Sequence, residues 1–258
     1  MVTVDCLGKP TRELNTTIRA ALARGDSLRL LHPEARHNLA VALLVPGNIV
    51  IEGSVGYYCG GMGDGISIEI KGNAGWGLAE CIMQGRIICR GNAGNGAAAS
   101  IRGGTVVIHG NAAARAGISM KGGTLLIGGK AGYMSGFMMQ KGTIIICGDT
   151  GEGLGDSMYA GEIFVGGKIA GLGNDAVERP MTPEDQSRVA ALLTEHGLPG
   201  SAERFTKIMS GGNLYYACER EEKTLATVAE LIGAGQLLWA SDFPHERPWD
   251  EFSGDIDT

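Results

Sequence analysis

The carboxylates Glu52, Asp64, Glu69, Glu80, Asp149, Glu152, Asp156, Glu162 and Asp175 are the residues of this chain best suited to acid–base work. Cleavage of a sugar or polyanion would need such groups stacked on one face, with a Lys or Arg beside them. A second chemistry is suggested by Gly72-Asn73-Ala74-Gly75-Trp76-Gly77 and Gly91-Asn92-Ala93-Gly94-Asn95-Gly96. Glycine loops of this kind can cradle phosphate with backbone N–H groups, provided that they open a helix. The thiols offer a third, but Cys6, Cys59, Cys81, Cys89, Cys147 and Cys218 contain no Cys-x-x-Cys pair, so no zinc or iron–sulfur site is expected.

A repeat decides where these residues sit. Gly53, Gly72, Gly91, Gly110, Gly129, Gly148 and Gly167 are spaced 19 apart without a slip. Gly47, Gly85, Gly104, Gly123, Gly142 and Gly161 follow in the same phase, broken only at Ile66. A short apolar run such as Ile87-Ile88-Cys89 or Ile144-Ile145-Ile146 lies between the glycines, as expected of short buried strands. Strands at one fixed spacing all point the same way, so they must stack in parallel. The fold class is therefore all-β: a right-handed parallel β-helix of about 19 residues per coil and seven to eight coils, with flanking N- and C-terminal helices. A left-handed β-helix would repeat in hexads, and the unit contains none. The corner glycines are expected to turn the chain through φ > 0 and to permit close backbone approach.

The register places the chemistry. Positions 49, 68, 87, 106, 125, 144 and 163, and positions 51, 70, 89, 108, 127, 146 and 165, are apolar columns expected to point inward. Ile82, Ile101, Met120, Met139 and Met158 form a second inner wall, and Glu52, Lys71, Arg90 and His109 a water-facing column. The acids fall on different columns, so no catalytic cluster is expected. The glycine segments recur in every coil and are followed by strands, so they are expected as corners and not as anion loops. Leu28 to Val45 reads as a degenerate first coil, with Leu30 and Leu31 in phase with Ile49 and Val50.

The segments divide as a helical part at 1–27, the β-helix at 28–175, and C-terminal helices with an extended arm at 176–258. Helices are expected at Thr11 to Arg24, at Thr182 to His196 behind an N-cap with Pro183 at N1, and at Glu222 to Ile232. They would close the open coil ends, which are otherwise bare sheet edges. Tyr57, Trp76 and Tyr133 share one phase just past the glycine corner, with Tyr58, Arg115, Met134 and Phe137 close by. They form either a docking stripe or a cover over the corner of the core. The run from Trp239 to Trp249, which includes Phe243, reads as an arm that lies either on a partner subunit or back on its own helices.

A net charge of −6 without basic runs argues against nucleic acid. No apolar run approaches a membrane span, and Met1 to Lys9 carries no secretory core, so a cytoplasmic protein with reduced thiols is expected.

The glycine units, together with Tyr57-Tyr58-Cys59-Gly60-Gly61-Met62, resemble the GXGXG β-helix family over roughly residues 28 to 216. That domain closes the large subunit of glutamate synthase and occurs as a separate chain in formylmethanofuran dehydrogenase. A free-standing chain of this length is most similar to the β-helix subunit of N-methylglutamate synthase. The resemblance implies a hetero-oligomer in methylamine and one-carbon metabolism, with a class II glutamine amidotransferase-like subunit and an FMN-binding glutamate synthase-like subunit. FMN, and an iron–sulfur cluster, would belong to a partner. For this chain the resemblance implies no catalytic, cofactor-binding or metal residues, only a structural role. A glutamate synthase subunit, or a formylmethanofuran dehydrogenase-like scaffold in a formyl-transfer complex, is the alternative.

Overall fold

The computed structural model describes residues 1–212, 216–218 and 237–239. Two compact units, Met1–Gly211 and Gly212–Thr258, divide the chain. In the second, β12 (Tyr216–Cys218) pairs in parallel with β13 (Leu237–Trp239). The expected third helix, Phe243 and Trp249 lie outside the described residues.

The first unit is built on one 11-stranded sheet. Seven parallel strands form the solenoid: β3 (Gly47–Glu52), β4 (Ile66–Ile70), β5 (Gly85–Cys89), β6 (Thr105–Ile108), β7 (Lys121–Ile127), β8 (Lys141–Ile146) and β9 (Glu162–Val165). The pairs Ile49↔Ile68, Ile68↔Ile87, Ile87↔Val106, Val106↔Leu125, Leu125↔Ile144 and Ile144↔Ile163 keep the 19-residue step throughout. Both predicted inner columns are buried, and so is the second wall from Ile82 to Met158.

The sheet extends beyond the repeat at both ends. β2 (Leu28–Leu31) pairs with β3, but Leu28 meets Ile49 and Leu30 meets Ile51. The first coil is thus two residues longer than the expected phase of Leu30 with Ile49. The turns that carry Pro33 and Pro46 take up one extra residue each, as the pairing of Asn38 and Ala42 with the next coil shows. A strand that the periodicity did not reveal, β1 (Val2–Asp5), pairs with β2, and α1 (Thr11–Ala23) forms the crossover between them. Leu14, Ile18 and Leu22 of α1 enter the main core. Asn15 bridges helix and first coil, donating to the Asn38 carbonyl at 2.7 Å and accepting from the Ala40 N–H at 2.8 Å.

At the far end β11 (Thr206–Ser210) pairs antiparallel to β9, and β10 (Ala176–Arg179) pairs antiparallel to β11. These strands, not a helix, follow the last coil. The helix α2 (Pro183–His196) has the expected Thr182 N-cap with Pro183 at N1, closed as a capping box in which Thr182 and Asp185 exchange hydrogen bonds, and Gly197 is left-handed beyond it. It lies on the outer face of the sheet, where Val189 and Leu193 pack with Val107, Leu126, Ile145 and Phe164. That outward column is aliphatic or aromatic, so it needs a lid more than the coil end does.

Of the two reasons expected for the glycines, close backbone approach is the one that applies along Gly53 to Gly167. Of the seven, only Gly53 has a left-handed φ (141°). At Gly110 a Cβ would lie 2.5 Å from Asn92 Oδ1 and 2.8 Å from the Gly91 carbonyl oxygen, so close stacking alone excludes a side chain. The expected positive φ is found in the second series, at Gly85, Gly104, Gly123, Gly142 and Gly161, with values between 73° and 111°, and also along another arc of each coil. There Met62, Cys81, Ser100, Ser119, Met138 and Ser157 stack with φ between 51° and 59°. Such residues cost about 1–2 kcal/mol each. In one coil Ala79 and Cys81 carry that cost, while burial of Ile68, Ile70, Leu78 and Ile82 contributes about 1.5–3 kcal/mol apiece. Burial outweighs the strain.

Candidate functional site

The phosphate-loop motif is occupied by its own solenoid. The N–H of Gly72 donates to Gly53, that of Ala74 to Asn92, that of Gly75 to Val55 and that of Gly77 to Asn95. The asparagines build a ladder. Asn73 Oδ1 accepts from the Asn92 N–H, Asn92 Oδ1 from Asn111, and Asn111 Oδ1 from Lys130, each at 2.8 Å. Asn follows Gly because its short amide reaches the next coil's N–H where the strands part, which leaves these donors no role in holding an anion.

The acids do not converge on a cleft. Glu69 is held by Lys71 at 2.8 Å and by Arg90, and the hydrogen bond from Lys71 keeps its carboxyl below the usual range. Asp149 pairs with Lys130 at 2.8 Å, and Asp156 accepts from Ser157 and Asn174. Glu162 is joined through two shared cations to Asp185, an acid of the first turn of α2 that did not stand out in the sequence. Both accept from Lys207, at 2.6 and 2.9 Å, and both contact Arg188. Burial would raise the two carboxyls, but Lys207 together with Arg188 at Glu162, and Lys207 together with Thr182 at Asp185, hold both below their ordinary values. Lys207 and Arg188 also stand over the Phe164 ring, 5.7 and 5.3 Å from its centroid. The cluster bolts α2 to β9 and β11.

Burial pushes the Cys59 thiol up to about 12 and those of Cys89 and Cys147 to about 11, so none is a ready thiolate. Among the described residues no three His, Cys, Asp or Glu side chains are grouped to hold a metal ion.

The aromatic corner is the surface that remains. Tyr57, Trp76 and Tyr133 are 39%, 52% and 53% exposed, so they do not cover the core. His37 stacks on Tyr57 with centroids 4.3 Å apart, and Tyr57 on Trp76 at 5.2 Å. The glycine motif seats these rings. A Cβ on Gly75 would lie 2.7 Å from Tyr57 Cδ1, and one on Gly94 would lie 2.6 Å from Trp76 Cδ1. Each ring therefore lies flat on the bare corner of the following coil. The row is then interrupted, because Asn95 and Ala114 hold the next two places before Tyr133.

The interruption is a groove of about 390 Å³. Tyr58 and Trp76 bound one end and Tyr133 the other, over a floor that includes Gly96 and Ala99. Glu80 lies at the Trp76 end and Arg115 at the Tyr133 end. Arg115 keeps a left-handed φ of 60° in a column where Gly77 and Gly96 stand in the two preceding coils. Phe137 is half-buried beyond the groove and does not line it.

No helix among the described residues is long and apolar enough to cross a membrane. No family model matches the chain. "Protein GlxC" of Rhizobium meliloti (strain 1021) is 39% identical over 90 residues, or 34% of this chain, and the match spans 40% of that protein's length. Among solved structures, a chain of the formyltransferase/hydrolase complex (FhcABCD) from Methylorubrum extorquens, determined in complex with methylofuran, is similar with a TM-score of 0.58. It is 30% identical, with 69% of each chain covered, so the likeness is one of sequence as well as fold.

Proposed function

We propose that this chain is a non-catalytic β-helix subunit of a glutamate synthase-like complex that makes N-methylglutamate. It would act as a rigid post between an amidotransferase-like subunit and an FMN-binding subunit. The observation that carries the subunit reading is the 30% identity, over 69% of both chains, to a component of a multi-chain enzyme assembly. The internal pairing of the acids and the protonated state of the buried thiols agree with a structural role. The GXGXG units support the N-methylglutamate synthase assignment by resemblance.

A second reading has its own support, since the solved neighbour belongs to a formyltransferase/hydrolase complex. Purification of the tagged chain from its native host separates the two. An amidotransferase, a yellow flavoprotein and N-methylglutamate formation from methylamine are expected. A metal-dependent hydrolase-like partner with formyl transfer would favour the second reading. The lone chain is expected to bind no flavin and turn over nothing; a yellow or active lone chain overturns the structural role.

A further inference from the structure

The groove between Trp76 and Tyr133 is a gap in a ladder. Tyr57, Trp76 and Tyr133 occupy one position of successive coils, while Asn95 and Ala114 leave two places without a ring. At about 4.8 Å per coil, the coils of Trp76 and Tyr133 are about 14 Å apart. In an extended strand, side chains two residues apart are separated by about 7 Å. Two flat side chains on one face of such a strand therefore fit between the rings. The groove also has a polarity. Glu80 and Arg115 sit two coils apart, and neither has an ion-pair partner among the described residues.

We propose that this groove receives an extended segment of a partner polypeptide, which presents two aromatic side chains two residues apart, a basic residue toward Glu80 and an acidic residue toward Arg115. The inserted rings complete the stack begun by His37, Tyr57 and Trp76. The small residues Gly96, Ala99 and Ala114 let them approach the backbone. Opposite charges at the two ends fix the direction in which the segment lies, because the reversed orientation sets like charges together. A small planar ligand would use the rings but not the separated charges.

The proposal rests on the reading of the chain as a subunit, and two measurements keep their failures apart. The first uses the full chain and synthetic nonapeptides with two phenylalanines two positions apart, a lysine on one side and a glutamate on the other. Binding is read from peptide anisotropy, and Trp76→Ala is expected to weaken it about 30-fold, as for a central aromatic anchor. Ala114→Trp, which fills the gap, is expected to abolish it while the β-rich circular dichroism stays unchanged. Arg115→Glu is expected to shift preference to the peptide in which a second lysine replaces the glutamate, because Glu80 still requires the first. No peptide binding, or equal binding by Ala114→Trp, overturns the proposal, as does equally tight binding of free tryptophan. The second measurement is co-purification from the native host. If wild type and Ala114→Trp both bring down the complex at full yield, the groove assignment falls and the subunit reading stands. If wild type comes down alone, the subunit reading falls, and the peptide series still decides the groove.

Discussion

The outer face of the sheet is one column of residues with two fates. Val50, Glu69 and Ile88 hold it in β3 to β5 and remain partly exposed, flanked by the exposed ion pairs of Arg29 with Glu52 and of Lys71 and Arg90 with Glu69. Val107, Leu126, Ile145 and Phe164 hold the same position in β6 to β9 and are fully buried under α2. The inner face does not change between the halves. The repeat therefore dictates what points inward, because stacking copies bury it in every coil. What points outward depends on which part of the chain outside the repeat comes back to cover it.

The largest contrast is expected on truncating one residue in each half. Phe164→Ala removes a ring that is packed by Val189, Leu193 and Phe205 and overlain by two cations, and should cost about 3–5 kcal/mol. Ile88→Ala, half-exposed at the edge of the same cluster, should cost about 1–2 kcal/mol. Urea unfolding of the two variants measures the difference. Equal losses would mean that the open half is covered in solution.

The next prediction tests the frame that both halves share. Gly110→Val puts a branched side chain against Asn92 and the Gly91 backbone, and should cost about 3 kcal/mol or more. At Gly8 nothing lies within 4 Å of an added Cβ, so Gly8→Val should cost only the strain of its φ of +68°, about 1–2 kcal/mol. Matching thermal melts would show that the coils are not stacked as closely as this register requires.

Much of this was legible because a strict repeat turns one residue into a column. The 19-residue step placed both inner walls, and local capping chemistry placed α2 between Thr182 and Gly197. The seat of α2 was not legible. Helix amphipathicity says that a face is buried but not against what, although the change from Glu69 to Val107, Leu126, Ile145 and Phe164 along one outward column is a signal for a lid. β1 was missed because a four-residue strand on the far side of α1 carries no period. Both reasons expected for the glycines apply, but to different series: contact between coils excludes a side chain at Gly72 to Gly167, and positive φ marks Gly85 to Gly161, a division that the spacing alone does not reveal. At the candidate site the phase of Tyr57, Trp76 and Tyr133 was visible in sequence. The groove was not, since it depends on the small residues Asn95 and Ala114 falling between the rings.

The smallest expected difference between the halves is in acid. Glu162 and Asp185 bolt α2 down, and their carboxyls lie below the ordinary values of 4.5 and 3.8 because Lys207, with Arg188 at Glu162 and with Thr182 at Asp185, exceeds the effect of burial. A carboxylate whose pKa is depressed on folding contributes stability above its unfolded pKa, and loses it as pH falls through the folded value. His196, in the last turn of α2, is held below 6.5 first by burial and then by nearby Arg86, so its contribution weakens as pH drops beneath 6.5. Lys207 is raised by the same partners, and its contribution is kept until pH rises past 10.5. The attachment of α2 should thus be firm from near neutrality to mildly basic pH, loosen slightly below about 6.5, and loosen further below about 4.5. In the open half Glu69 is also depressed, through its hydrogen bond from Lys71, but that pair is exposed and weakened by salt. Hydrogen exchange between pH 7 and pH 3 should therefore show amides of α2 losing protection before those of β4 and β5. Glu162→Gln should flatten the lower part of that curve and leave the step from His196 in place. If β4 and β5 open together with α2, the helix is not a separately attached lid, and the two halves of the outer face respond as one.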